Sequence, residues 1–123
     1  MTHWLKKNPK TNTTTVYQKA VNGSKKAILH YKIGLQLNNY TLLEITLETG
    51  RSHQIRSQLA YIGCPIKGDL KYGAKRSNPD GGIHLHAKSI TFVHPISKET
   101  LFLEAPPPRE VLWDACLLKQ NNE

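Results

Sequence analysis

Arg56 is the residue best placed for chemistry, because of what surrounds it. Ile55, Leu59 and Ile62 recur at the i, i+4, i+7 spacing of a helix face. On that wheel Arg56 lies about 60° from Leu59, at the margin of the apolar stripe, so its guanidinium is partly desolvated. A desolvated cation is costly unless an anion or several hydrogen bonds meet it. The planar fork of arginine matches both oxygens of a carboxylate and stays charged at any relevant pH. No acid stands at i±3 or i±4 from Arg56. A salt bridge to an acid distant in the chain, such as Glu44 or Asp69, or extension into solvent would satisfy it. Arg51, His53 and Gln54 precede it, with Ser52 as an N-cap candidate, and free backbone N–H groups at a helix start can meet a phosphate. Taken alone, each of those three reads as a solvated polar residue. His84 and His86 have the spacing of two ligands on one strand face, but no Cys, Asp or Glu lies close enough to complete a metal set. No metal site is expected.

The elements that must position these side chains read as strands around one helix. From Ala27 to Leu37 the odd positions are apolar and His30, Lys32 and Gln36 fall on even ones, which predicts a strand with one buried face. Leu43, Ile45 and Leu47 alternate with Glu44, Thr46 and Glu48 beyond Asn38-Asn39, which completes an antiparallel hairpin. The helix runs from about His53 to Ile62, stopped by Gly63 and Pro65. Glycines and Pro79 make 67–82 a loop, basic through Lys67, Lys71, Lys75 and Arg76. Strands follow over His84 to Val93, where the apolar parity shifts as a bulge would make it, and over Thr100 to Ala105. Residues 1–26 are polar and Thr/Asn-rich, with one short strand near Thr13 to Gln18.

At 123 residues the chain has room for a single core. No apolar run is long enough to cross a membrane and no secretion signal is visible, so a cytoplasmic chain with Cys64 and Cys116 as thiols is expected. The net charge is +8, and seven lysines precede Glu44, the first acid in the chain. A basic end of this kind attracts polyanions by releasing their counterions, which makes nucleic acid the natural partner.

Three stretches occur in one order: Thr49-Gly50-Arg51-Ser52-His53-Gln54-Ile55-Arg56, Gly63-Cys64-Pro65-Ile66-Lys67-Gly68-Asp69, and Leu85-His86-Ala87. In order and spacing they resemble the downstream half of the catalytic domain of RluA-family RNA pseudouridine synthases, over about Ala27 to Pro107. Trp4-Leu5-Lys6-Lys7-Asn8 is similar more weakly. The resemblance implies an α+β fold, a mostly antiparallel mixed sheet with one short helix, forming part of such a domain over 1–123. Residues 1–26 would be a basic leading segment and 108–123 a tail. It also implies a cofactor-free conversion of uridine to pseudouridine in ribosomal or transfer RNA. Arg56 would pair with the catalytic aspartate, Leu85 would press on the flipped base, and Arg51, His53, Gln54, Lys67, Lys71, Lys75 and Arg76 would face the RNA. Gln58 and Cys64 stand where histidine is common in the family, a departure that bears on RNA contacts more than on fold.

The family's nucleophile belongs to a His-Arg-Leu-Asp segment that residues 1–123 do not contain. The expectation is therefore an inactive chain when alone, completed by an N-terminal catalytic half. A basic RNA-binding module that keeps the scaffold without the chemistry is the alternative. An unpaired sheet edge would favour self-association in either case.

Overall fold

The computed structural model describes residues 1–37, 39–87, 89–93, 96–104, 107 and 112–116. It divides into two compact units, Met1–His84 and Leu85–Glu123. The expected tail over 108–123 lies outside the described residues except for 112–116, which are helical.

In the first unit four antiparallel strands, β1 (Thr2–Asn8), β2 (Thr13–Tyr17), β3 (Lys25–Gln36) and β4 (Thr41–Leu47), form one sheet in the order β2-β1-β3-β4. The β3–β4 hairpin is the one expected from alternation, and β2 matches the short strand near Thr13. β1, at the centre, is absent from the expectation. Only His3 and Leu5 of its seven residues are buried, and the lysines beside them mask so short a period. These two, with Thr14, Ala27 and Leu29, make the inner face on which α1 (Gln54–Tyr61) lies. Gln58 reaches across from α1, its Nε2 donating to His3 Nδ1 at 2.8 Å, while the His3 and Tyr61 rings meet edge to face.

The single buried face expected from Ala27 to Leu37 is interrupted. β1 pairs with β3 as far as Ile28, and Met1 bonds Leu29 in both directions; beyond Leu29 no strand among the described residues pairs with β3 on this side. Tyr31 and Ile33 are consequently exposed, facing Ile45 and Leu43 across the hairpin. A register shift between Ile33 and Leu35 then turns Leu35 inward. Gly34 sits within that shift, against Leu42.

Two expectations about termini are corrected. Ser52 is not the cap of α1: the N-cap position belongs to His53, in the left-handed region at φ 53°, and no side chain caps the helix. The second unit's hairpin, β5 (Ser89–Val93) with β6 (Thr100–Glu104), starts later than expected, because 84–87 are irregular. The parity change between Ala87 and Ile90 marks where irregular chain becomes strand. Leu85 accordingly lies outside any strand, where a strand over His84 to Val93 was expected, and is 41% exposed.

Candidate active site around Arg56

The site is assembled by a loop, one helix and a single 3-10 turn, Leu70–Tyr72. Gln54 organises the loop. Its Oε1 accepts hydrogen bonds from the Thr49 hydroxyl at 2.8 Å and the Arg51 amide at 2.9 Å, and its Nε2 donates to the Ile28 carbonyl at 3.2 Å. Thr49 Oγ1 in turn accepts the Ile28 amide at 2.9 Å. The chain preceding α1 is thus pinned to β3 by one buried amide. Gln54, which the resemblance placed on the RNA side, is buried, and its Oε1 and Nε2 are both engaged within the chain, where they brace the loop.

From that helix Arg56 meets Asp69 side-on. Nε donates to Oδ2 at 2.9 Å and Nη2 to Oδ1 at 2.8 Å. Asp69 is 1% exposed and the Arg56 side chain 22%. Of the two internal acids that the sequence offered, the fold selects Asp69, while Glu44 pairs with Lys32. Gly68 makes this possible. It adopts φ +87°, and a Cβ there would stand 2.7 Å from the Gly82 carbonyl oxygen and clash with the Asn78 amide. Asn78 is itself buried, accepting from Lys67 Nζ and donating to the Gly82 carbonyl at 2.8 Å and to His84 Nδ1 at 3.0 Å.

Tyr72, three residues past Asp69, supports the guanidinium from another side, with Cζ of Arg56 4.9 Å from its ring centroid. The Tyr72 hydroxyl accepts the Thr14 amide at 2.9 Å and is hydrogen-bonded to His53 Nδ1 at 2.6 Å. With one proton and two lone pairs, the hydroxyl can give its proton to neutral His53 or accept one from Nδ1–H while still accepting the Thr14 amide. Burial is the largest influence lowering the His53 pKa, followed by the charges of Arg56, Lys71 and Lys7, with Asp69 opposing. The hydrogen bond to Asp69 raises the Arg56 pKa, so the guanidinium remains charged.

Arg56 has donors left over. The side-on pair uses Nε and one Nη2 proton, so Nη1 and the second Nη2 proton form an end-on edge with no hydrogen-bond partner among the described residues. The arrangement can hold one carboxylate permanently and offer a second fork to another anion.

The remaining expected residues take no part in this network. Arg51 is exposed and its Nε donates to the Lys26 carbonyl at 2.9 Å. Lys71 reaches the Asn12 carbonyl at 3.2 Å, and Lys75 and Arg76 are exposed. Lys67 also lies 5.7 Å from the Tyr40 ring centroid. Leu85 belongs to the second unit, as does His86, whose ring meets Trp113 edge to face. Gln58, fully buried against His3, bears on the core and not on RNA contact; its Oε1 has no hydrogen-bond partner among the described residues. Tyr72 and Thr14 went unnoticed in the sequence. Tyr72 had a signal, the i+3 spacing from Asp69 that one tight turn converts into a shared face. Thr14 had none, because only the sheet brings it to α1.

Comparison with known proteins bears on the same residues. The family model for RNA pseudouridylate synthase matches residues 1–61, which run from β1 through α1 and include Arg56. An uncharacterized RNA pseudouridine synthase of Bacillus subtilis, YlyB, is 41% identical over 71% of this chain and 29% of its own length. Ribosomal large subunit pseudouridine synthase D of Vibrio cholerae is 33% identical over 79% of this chain and 34% of its own length. The enzyme of that name from Buchnera aphidicola is 34% identical over 94% of this chain and 39% of its own length. The chain thus spans between about three- and four-tenths of the length of these relatives. With the ordered motifs, the antiparallel α+β sheet and these matches in agreement, the chain belongs to the RNA pseudouridine synthase family and carries the motifs of its RluA type.

Proposed function

We infer that residues 1–123 furnish the arginine-bearing part of an RNA pseudouridine synthase site acting on a uridine of ribosomal or transfer RNA. The observation that carries this reading is the free end-on edge of Arg56, held in place by Asp69 and Tyr72. A nucleophilic aspartate from a His-Arg-Leu-Asp segment, which residues 1–123 lack, would accept that edge. The second fork would keep it ionised and aligned. In the reaction the base exchanges its nitrogen link to the sugar for a carbon link, losing a proton from that carbon and gaining one at the freed nitrogen. No cofactor is needed for such an isomerisation. Flipping the uridine out of its stack costs a few kcal/mol, which packing against the base must offset.

A second reading is favoured by one feature of the same geometry. Asp69 already neutralises Arg56 within the chain, so the pair is stable without any incoming carboxylate. On that reading residues 1–123 are an RNA-binding scaffold. Both readings take RNA as partner, and the first adds a complementary catalytic half. The discriminating experiment measures pseudouridine by mass spectrometry of nucleosides from mixed RNA. The purified chain is incubated alone, then with a fragment carrying His-Arg-Leu-Asp. Product only in the mixture, lost in Arg56→Met, is the expected outcome. Product from the chain alone refutes the need for a second half, and none in the mixture leaves the scaffold reading standing.

A further inference from the structure

The face of the first sheet turned away from α1 carries side chains that the Arg56 site does not use. Strand register sets Trp4 against Tyr17, Lys6 against Thr15 and Asn8 against Thr13 on this face, while Leu5 and Thr14 turn inward. Lys26 stands beside Trp4 on β3 and is exposed. Towards the turn end of the β1–β2 hairpin, Lys6, Lys7, Asn8, Pro9, Thr15 and Tyr17 line a groove of about 310 Å³. Lys7 alternates to the other face, opposite inward Thr14. On the outer face the Lys6 ammonium, the Thr15 and Tyr17 hydroxyls and the Asn8 amide can all donate, the Asn8 Oδ1 being occupied by the Lys10 amide at 3.0 Å. No acid lies among the lining residues or anywhere before Glu44. Tyr17 adds a half-buried aromatic ring to this donor set.

We propose that this groove binds a single-stranded segment of the RNA substrate, with backbone phosphate on Lys6 and an unpaired base against Tyr17. The inference rests on RNA being the substrate and extends it to a surface remote from the chemistry of Arg56. Lysines without nearby acids hold phosphate by releasing counterions and carry no sequence preference. An aromatic ring in a basic groove selects single strands, because only an unpaired base offers a free face for stacking. An acidic peptide would satisfy the lysines but gain nothing from Tyr17, which is why RNA is the occupant favoured here.

The test is fluorescence anisotropy with a labelled oligouridylate of about ten nucleotides, over a salt series, on the chain and its variants. Circular dichroism confirms that each variant folds. The variant K6Q should lower the slope of log affinity against log salt by about 0.7, the value for one phosphate on a single strand. Tyr17→Leu should weaken binding about 5- to 150-fold, as loss of one base–aromatic stack does, with the slope unchanged. Tyr17→Phe should bind as the parent does. If both the lysine and leucine variants bind as the parent does, the groove is overturned while RNA binding itself stands. Should poly-glutamate bind as tightly as oligouridylate and ignore Tyr17→Leu, the groove is an unspecific polyanion surface and the proposal fails. Absence of any binding by the parent chain overturns the groove and the RNA reading together.

Discussion

Replacing Asp69 by asparagine is the sharpest perturbation of this structure, because it keeps the shape and removes the charge. Arg56 would then be a cation with 22% of its side chain exposed and without the ion pair to Asp69. Breaking a buried ion pair on one side costs about 3–5 kcal/mol. The free Nη1 edge gives water some access, so a cost at or just below that range, about 2–3 kcal/mol, is expected. For a chain whose total stability falls within about 5–15 kcal/mol, that is a large share. With a urea dependence of about 1–3 kcal/mol per molar, the unfolding midpoint should fall by roughly 0.7–3 M. Arg56→Met should also destabilise, by orphaning a buried carboxylate. The double variant should lose less than the two single losses combined, with a coupling of at least about 1 kcal/mol. Arg56→Lys should recover only part, since an ammonium cannot span both oxygens. A cost below about 0.5 kcal/mol for Asp69→Asn, or simple additivity in the double variant, would refute the claim that this pair anchors the site.

Gly68→Ala should destabilise by more than about 1 kcal/mol, since the new methyl meets backbone as well as the Asn78 amide at a positive φ; thermal melting reads it, and an unchanged melting point contradicts the packing described. Gln54→Ala should free the loop over 49–51 and raise hydrogen exchange at the Arg51 and Ile28 amides, which exchange as in the parent if the brace is not needed. His3 and His53 both have lowered pKa values, with burial the largest cause in each. Their contribution to stability is therefore complete above about pH 6.5 and is lost as pH falls through the folded values. Urea midpoints should drop on acidification, and His53→Asn, which keeps a residue suited to the left-handed region, should flatten that dependence; an equal slope in parent and variant would exclude His53 as a source. Exposed Tyr31 and Ile33, together with the unpaired side of the β3–β4 hairpin, should promote association, and a sedimentation run showing only monomer would count against it.

What could be read from the sequence follows the range of the forces involved. Alternation over the eleven residues from Ala27 to Leu37 made β3 visible, and its partner β4 followed from the same period with a turn between them. The helix was visible from three apolar positions. β1 was not, because its stability comes from neighbours on both sides and two inward side chains, neither of which is a local signal. The N-terminus of α1 was misread for a related reason. Ser52 has the right chemistry for a cap, but its carbonyl takes the Thr14 hydroxyl at 3.0 Å, and the buried Gln54 amide fixes the loop in its place. Tertiary hydrogen bonds overrode a local preference. Leu85 shows the opposite limit, a position whose motif was legible while its exposure was not.

Arg56 draws these strands of argument together. Helix geometry left it to an anion, several hydrogen bonds or an outlet to solvent, and the structure supplies an anion in Asp69. That could be taken as the end of its role, yet a structural ion pair has no need of the surrounding apparatus. A guanidinium gripped by Nε and Nη2, stacked on Tyr72, with Tyr72 held by Thr14 and His53, has lost nearly all its freedom while keeping one edge unused. Preorganisation of this kind matters when a group must meet a second charge without rearranging. It also yields a distinction that stability cannot. If Arg56 serves only the fold, Tyr72→Leu should lower the urea midpoint and leave pseudouridine formation in the complemented system in proportion to folded protein. If the free edge is functional, turnover per folded molecule should fall by tenfold or so, while Tyr72→Phe, which keeps the ring and loses the tether, should fall between. Equal turnover per folded molecule in all three would assign the whole network to the scaffold.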